Sequence, residues 1–255
     1  MLLVCNTCIC IFIFGSSMCS LSIFTFLNHL KQIEYEDSLC KIRGYICYVS
    51  TCLLDNSFLL QSIHRYISGI YPNNFLIKSI KSQILFICLT WIFSFVYPFL
   101  FLFNNEIIYN VNNQICQIPL KFSFSIIYMT SCAYIIPLLL IMFIYIKLLI
   151  YVKQMNNRIA SVNIFIRAKR QLKMINRIVI LTIILIIFGI PYIIFMLISF
   201  FIVPPIYHFR ISFIFVDISL LFIIIVLFHF NQPLKISIIQ TIKRIHTNNI
   251  VRTIA

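Results

Sequence analysis

The chain has 255 residues, of which 62% are hydrophobic and 10% charged, and its formal net charge is +14. An ordinary soluble domain carries about 25% charged residues, so a water-soluble globule is excluded and the chain reads as a membrane protein. Its length suits a single transmembrane domain over 1–255, and only four glycines argue against a glycine-rich transporter or a phosphate-binding loop.

Six apolar stretches are long enough to span a bilayer: 2–27, 42–63, 80–103, 122–150, 175–203 and 211–230. Lipid offers no partner to a bare backbone N–H or C=O, so all six are expected to be helices. The first lacks the basic start and small-residue cleavage site of a signal peptide, and its apolar run is too long for one. Cys5, Cys8, Cys10, Cys19, Cys47, Cys52, Cys88 and Cys132 lie inside apolar runs and read as small buried hydrophobes. No zinc spacing, phosphate loop or nucleophile–base constellation is present, so no metal, cofactor or catalysis is expected.

The loops alternate in charge. After the first span, Lys31, Lys41 and Arg43 balance Glu34, Glu36 and Asp37; after the second, Arg65, Lys78 and Lys81 net +3. After the third, Glu106 cancels Lys121. The loop after the fourth nets +8, that after the fifth holds only Arg210, and the tail nets +4. Basic loops stay cytosolic. This predicts a multi-pass protein with both termini inside and with the loops carrying Cys40 and Cys116 in the oxidising outer compartment. The positive charge is thus a topology signal and not a nucleic-acid footprint.

From Cys40 to Arg65 is 25 residues, about 37 Å of helix and so about one membrane thickness. In the same order come His64-Arg65-Tyr66, Trp91 in the next span, Cys116 in the next outer loop, and Pro137 and Tyr145 in the span after it. Phe188-Gly189-Ile190-Pro191 and Asn231-Gln232-Pro233 follow. Each mark is weak alone. Their shared order over Cys40 to Pro233 resembles the rhodopsin-like (class A) G-protein-coupled receptors, in the divergent style of invertebrate neuropeptide receptors.

The resemblance implies an all-α membrane bundle of six transmembrane helices, the family's second to seventh, with a short interfacial helix at 234–246. The family's first helix then has no counterpart, which suggests an incomplete gene model or a truncated product. It also implies a Cys40–Cys116 disulfide that pins the outer loop. Arg65, Tyr66 and Tyr145 become the G-protein-coupling switch, with Arg170 and Lys173 on the moving sixth helix and kinks at Pro191 and Pro233. Four departures bear on switching: His64 for the acid beside Arg65, Gly189 for a tryptophan, and Gln232 and Ile236 in the seventh-helix motif. No aspartate lies in the first span, so the family's sodium-site carboxylate is absent.

Amine receptors carry an aspartate where this chain has Cys47. Cys47, Tyr48 and Thr51, with Tyr192, Ile193 and Met196, would line an apolar, aromatic ligand cavity without a fixed anion, suited to a peptide or lipid better than to a biogenic amine. Asp55, deep in the second span, is costly there and reads equally as a functional group or as a structural one satisfied by Asn56 or by a polar group on another helix. In 234–246, apolar residues at 234, 238, 242 and 245 share one helical face with bases beside it, fit for the inner leaflet.

The leading expectation is a plasma-membrane receptor that passes an extracellular, peptide-like signal to a heterotrimeric G protein. A non-signalling receptor-like or truncated product is the alternative, and a small transporter a more distant one.

Overall fold

The computed structural model describes residues 2–31, 38–70, 79–120, 123–157, 162–202 and 205–230. Pro233 and the 234–246 segment lie outside them, as do Gln232 and Ile236. The described helices are α1 (Leu2–Lys31), α2 (Cys40–Ile70), α3 (Ile80–Val96), α4 (Phe99–Phe103), α5 (Phe124–Thr130), α6 (Ile136–Asn157), α7 (Val162–Ser199) and α8 (His208–Phe230). A π-helical turn, Ser131–Ile135, joins α5 to α6. Pro137 has no N–H for the carbonyl four residues back, and its ring crowds that carbonyl. The widened turn just before it relieves both problems.

Among the described residues, five segments are long and apolar enough to cross a membrane: Leu2–Lys31, Ile80–Phe103, Phe124–Met155, Ala168–Ser199 and His208–Val226. The sixth expected span, α2, falls outside that group because it is too polar. It is also the hub of the bundle, packed against α1, α3, α6 and α7. Its neighbours and its own backbone, not lipid, receive its polar groups. The hydroxyls of Ser50, Thr51, Ser57 and Ser62 donate to carbonyls one turn back, at 2.7–3.0 Å.

Two apolar cores stack along the bundle. One surrounds Phe14, Leu54, Phe58, Ile141, Leu148 and Ile175. The other lies toward Cys40 and gathers Tyr48, Tyr97, Phe101, Ile107, Ile126 and Phe209. The second is closed by an antiparallel hairpin of β1 (Ile108–Asn110) and β2 (Ile115–Gln117), with Tyr109 opposite Cys116. At its turn Asn110 Oδ1 accepts from the Asn113 backbone N–H at 3.0 Å, and Gln114 takes a left-handed φ of 55°. Gly44 lets the strand lie directly on α2: a Cβ there would sit 2.6 Å from the Cys116 carbonyl oxygen.

Candidate functional site

The long helix α2 carries features at both ends. At its start Cys40 is disulfide-bonded to Cys116 of β2, with Cα atoms 5.5 Å apart. About two turns further along, Tyr48 is buried and its hydroxyl donates to Gln117 Oε1 while accepting from the Ile118 N–H at 3.0 Å. The hairpin is tied across the bundle as well. Arg210 Nη2 donates to Gln114 Oε1 at 2.9 Å, and Asn113 Oδ1 accepts from the Phe209 N–H at 3.2 Å.

Of the expected ligand-facing residues, Tyr192 and Met196 pack against the aromatic core near the disulfide. Met196 Sδ lies 3.9 Å from the Thr130 hydroxyl. Cys47 is buried with its Sγ 3.7 Å from Met18 Sδ, and Thr51 bonds back to the Cys47 carbonyl. Ile193 departs from expectation. It is 43% exposed, beside Ile187, Ile190, Ile194 and Leu197 on the outward face of α7. Its neighbours in sequence alternate between inside and outside because a helix turns 100° per residue, and Ile193 falls on the outer side.

At the other end of α2, Tyr66 and Tyr145 are both partly buried against the core of Leu148 and Ile175. Gly69 abuts Leu148 and Gln171, bringing α2, α6 and α7 together. Arg65 is half-buried and lies within electrostatic reach of Arg170 on α7. Lys173 points outward. His64 lies beyond the apolar stretch. Its Nε2 is 3.4 Å from Gln83, and among the described residues its buried Nδ1 has no hydrogen-bond partner. Burial, with the Arg65 charge next, holds its imidazole below the ordinary pKa, so the neutral ring cannot serve Arg65 as a counter-ion.

Pro191 sits inside the 38-residue helix α7. Beside it, Gly189 has open space where a side chain would stand. Trp91 Nε1 donates to Asn6 Oδ1 at 3.0 Å, crossing from α3 to α1. Asp55 is buried in α2, and among the described residues its carboxylate has no hydrogen bond; Asn56 Nδ2 donates instead to Cys52.

One residue escaped the sequence reading. Asp217 stands inside α8, half-buried, and accepts a hydrogen bond from the Ser22 hydroxyl at 3.0 Å. The signal was present: the loops net sixteen positive charges against a chain total of +14, which leaves two acids within the spans.

This geometry defines a polytopic helical bundle with a disulfide-pinned hairpin at one end and paired cations at the other. The chain belongs to the 7 transmembrane receptor (rhodopsin family), whose family model matches residues 1–232. No curated protein matches it.

Proposed function

We propose that the chain is a plasma-membrane receptor that transmits an extracellular, peptide-like signal to a heterotrimeric G protein, without catalysis of its own. The observation that carries this reading is the layout of α2, with the disulfide at its head and Arg65-Tyr66 at its foot. In the sequence, basic residues cluster in the segments after the second and fourth spans and in the tail, so the Arg65 end faces the cytosol and the hairpin faces outward. By the same rule the C-terminus is cytosolic. A ligand outside would favour the state in which α7 has moved away from Arg65. Arg65 and Tyr145 would then meet the G protein, with Arg170 and Lys173 flanking them, Pro191 as the pivot, and Pro233 as a second kink.

Among the described residues Arg65 has no carboxylate beside it, and Arg170 repels it. Both weaken the restraint on the resting state. Nucleotide exchange on purified heterotrimers, driven by membranes holding the full chain without ligand, is therefore expected above background. Arg65→Ala should abolish it, and His64→Asp should lower it severalfold by supplying the missing ion pair. Exchange at background for every G-protein class, with or without peptide extracts, would overturn the reading. The open space at Gly189 favours a second reading, a receptor-like protein that does not switch; that same null result would support it.

A further inference from the structure

We infer that Asp217 is the anionic anchor for a cationic group, an ammonium or guanidinium, on the ligand of this receptor. The inference rests on the receptor reading above and specifies the chemistry of its ligand. An ionisable side chain within an apolar helix is costly and is kept for a purpose.

Three helices bring their residues to one depth. Asp217 lies nine residues into α8 from His208, Ser22 nine residues from the Lys31 end of α1, and Cys47 seven residues below Cys40. At a rise of about 1.5 Å per residue these are about 10–14 Å below the same rim. Cys47 is within electrostatic reach of both Asp217 and Tyr192. The Tyr192 ring in turn lies 6.4 Å from Phe209, which stacks on Phe213 at 6.1 Å. Phe213 stands one helical turn before Asp217 on α8, and a carboxylate beside aromatic rings is a pairing that recognises an organic cation.

The carboxylate has capacity to spare. Two oxygens offer about four acceptor positions, and among the described residues only the Ser22 hydroxyl uses one. No basic side chain of the described residues pairs with it. A mere tie between α1 and α8 would not need a charge, since an amide or a hydroxyl accepts from serine equally well.

The test uses the full chain in nanodiscs and needs no G protein. Binding is read by thermal shift and by saturation-transfer NMR with two cations, each beside its neutral isostere. Phenethylammonium against 2-phenylethanol represents a free amine; acetyl-arginine amide against acetyl-citrulline amide represents a basic residue of a peptide. At least one cation should bind, its isostere should bind at least about tenfold more weakly, and Asp217→Asn should lose that tenfold preference, which is about 1.4 kcal/mol. Asparagine still accepts from Ser22, so the unliganded Tm should hold. Ser22→Ala removes the tie and keeps the charge, and should retain the preference. Equal binding of cation and isostere, no binding of either cation, an Asp217→Asn variant that binds as the wild type does, or a Ser22→Ala variant that loses the preference would each overturn the inference. Cation binding without nucleotide exchange would instead retain Asp217 as the anchor and sink the signalling reading.

Discussion

The two ends of α2 are held in different ways. Near Cys40 the ties are directional and cross between elements: a disulfide to β2, the Tyr48 hydroxyl to Gln117 and Ile118, and Arg210 to the hairpin turn. Near Arg65 no covalent tie is present among the described residues: Gln61, one turn back, donates to the Leu3 carbonyl and to Thr7, His64 meets Gln83, and the remaining contacts are apolar, with Gly69 against Leu148 and Gln171, and Tyr66 and Tyr145 against the same core. The charged groups there are cations that repel. Among the described residues, buried atoms without partners occur at both ends, Gln117 Nε2 at one and Gln171 Oε1 at the other. The contrast therefore lies in the covalent cross-link, which among the described residues only the Cys40 end has, and in the like charges at the Arg65 end. A disulfide fixes one arrangement, whereas hydrogen bonds and apolar packing can be exchanged as one helix shifts past another. A bundle fixed at one end and slacker at the other can convert a small change among its fixed residues into a larger one at the slack end.

The sharpest way to break this contrast is to cut the disulfide. It links residues 76 apart in sequence, and a closure of that length contributes about 4 kcal/mol in the chain-entropy account. Cys40→Ser should lower the Tm of the protein in detergent more than any change near Arg65. Equal Tm values for the variant and the wild type would show that the hairpin is held by its hydrogen bonds alone. Gly44→Ala comes next. Its Cβ would press on the Cys116 carbonyl at 2.6 Å and on Ile107, and backbone cannot rotate away, so a loss of about 3 kcal/mol is expected. Chemical denaturation should show it, and an unchanged midpoint would mean that the strand lifts off α2 freely.

Tyr48→Phe is gentler. It deletes one hydroxyl and leaves the Ile118 N–H and Gln117 Oε1 without that partner inside the aromatic core. A buried group left unsatisfied costs about 1–3 kcal/mol. Amide exchange should accelerate at Ile118 and along β2, while residues near Gly69 keep their protection. Faster exchange at both ends would mean that the two ends are coupled more tightly than the contact pattern indicates.

Much of this architecture was legible in the sequence, and the rest was hidden for definite reasons. Long apolar runs mark spans because lipid demands them, and the five most apolar ones are helices of spanning length. Edges were harder. α7 begins at Val162, well before the apolar run at 175, because Arg170 and Lys173 continue the helical turn beyond the hydrophobic stretch. The hairpin went unread since its strands are three residues each, too short to show a period. Their fixed points, the Gly44 approach and the bonds to α8, are contacts between distant segments. Ile193 faces outward although Tyr192 beside it packs inward, because one helix face is separated from the next by a single residue. Asp217 was readable from charge bookkeeping alone. Its bond to Ser22, 195 residues away in sequence, was not.

The smallest expected effect has the opposite sign. The Gln171 Oε1 atom is buried, on a side chain that abuts Gly69 of α2, and among the described residues it has no hydrogen-bond partner, so the folded state already bears its desolvation cost. Leucine is similar in length and brings no acceptor, and replacing an unsatisfied polar group by an apolar one of like shape is neutral or favourable. Gln171→Leu should therefore raise stability by about 1 kcal/mol, read as a small increase in Tm. The gain has a functional counterpart. If slack near Arg65 serves switching, tighter packing of α7 against Gly69 should lower ligand-free nucleotide exchange while leaving the disulfide end untouched. A Gln171→Leu variant that instead loses as much stability as Tyr48→Phe would mean that the amide is specified as closely as the hairpin bonds, and that the Arg65 end is not slack.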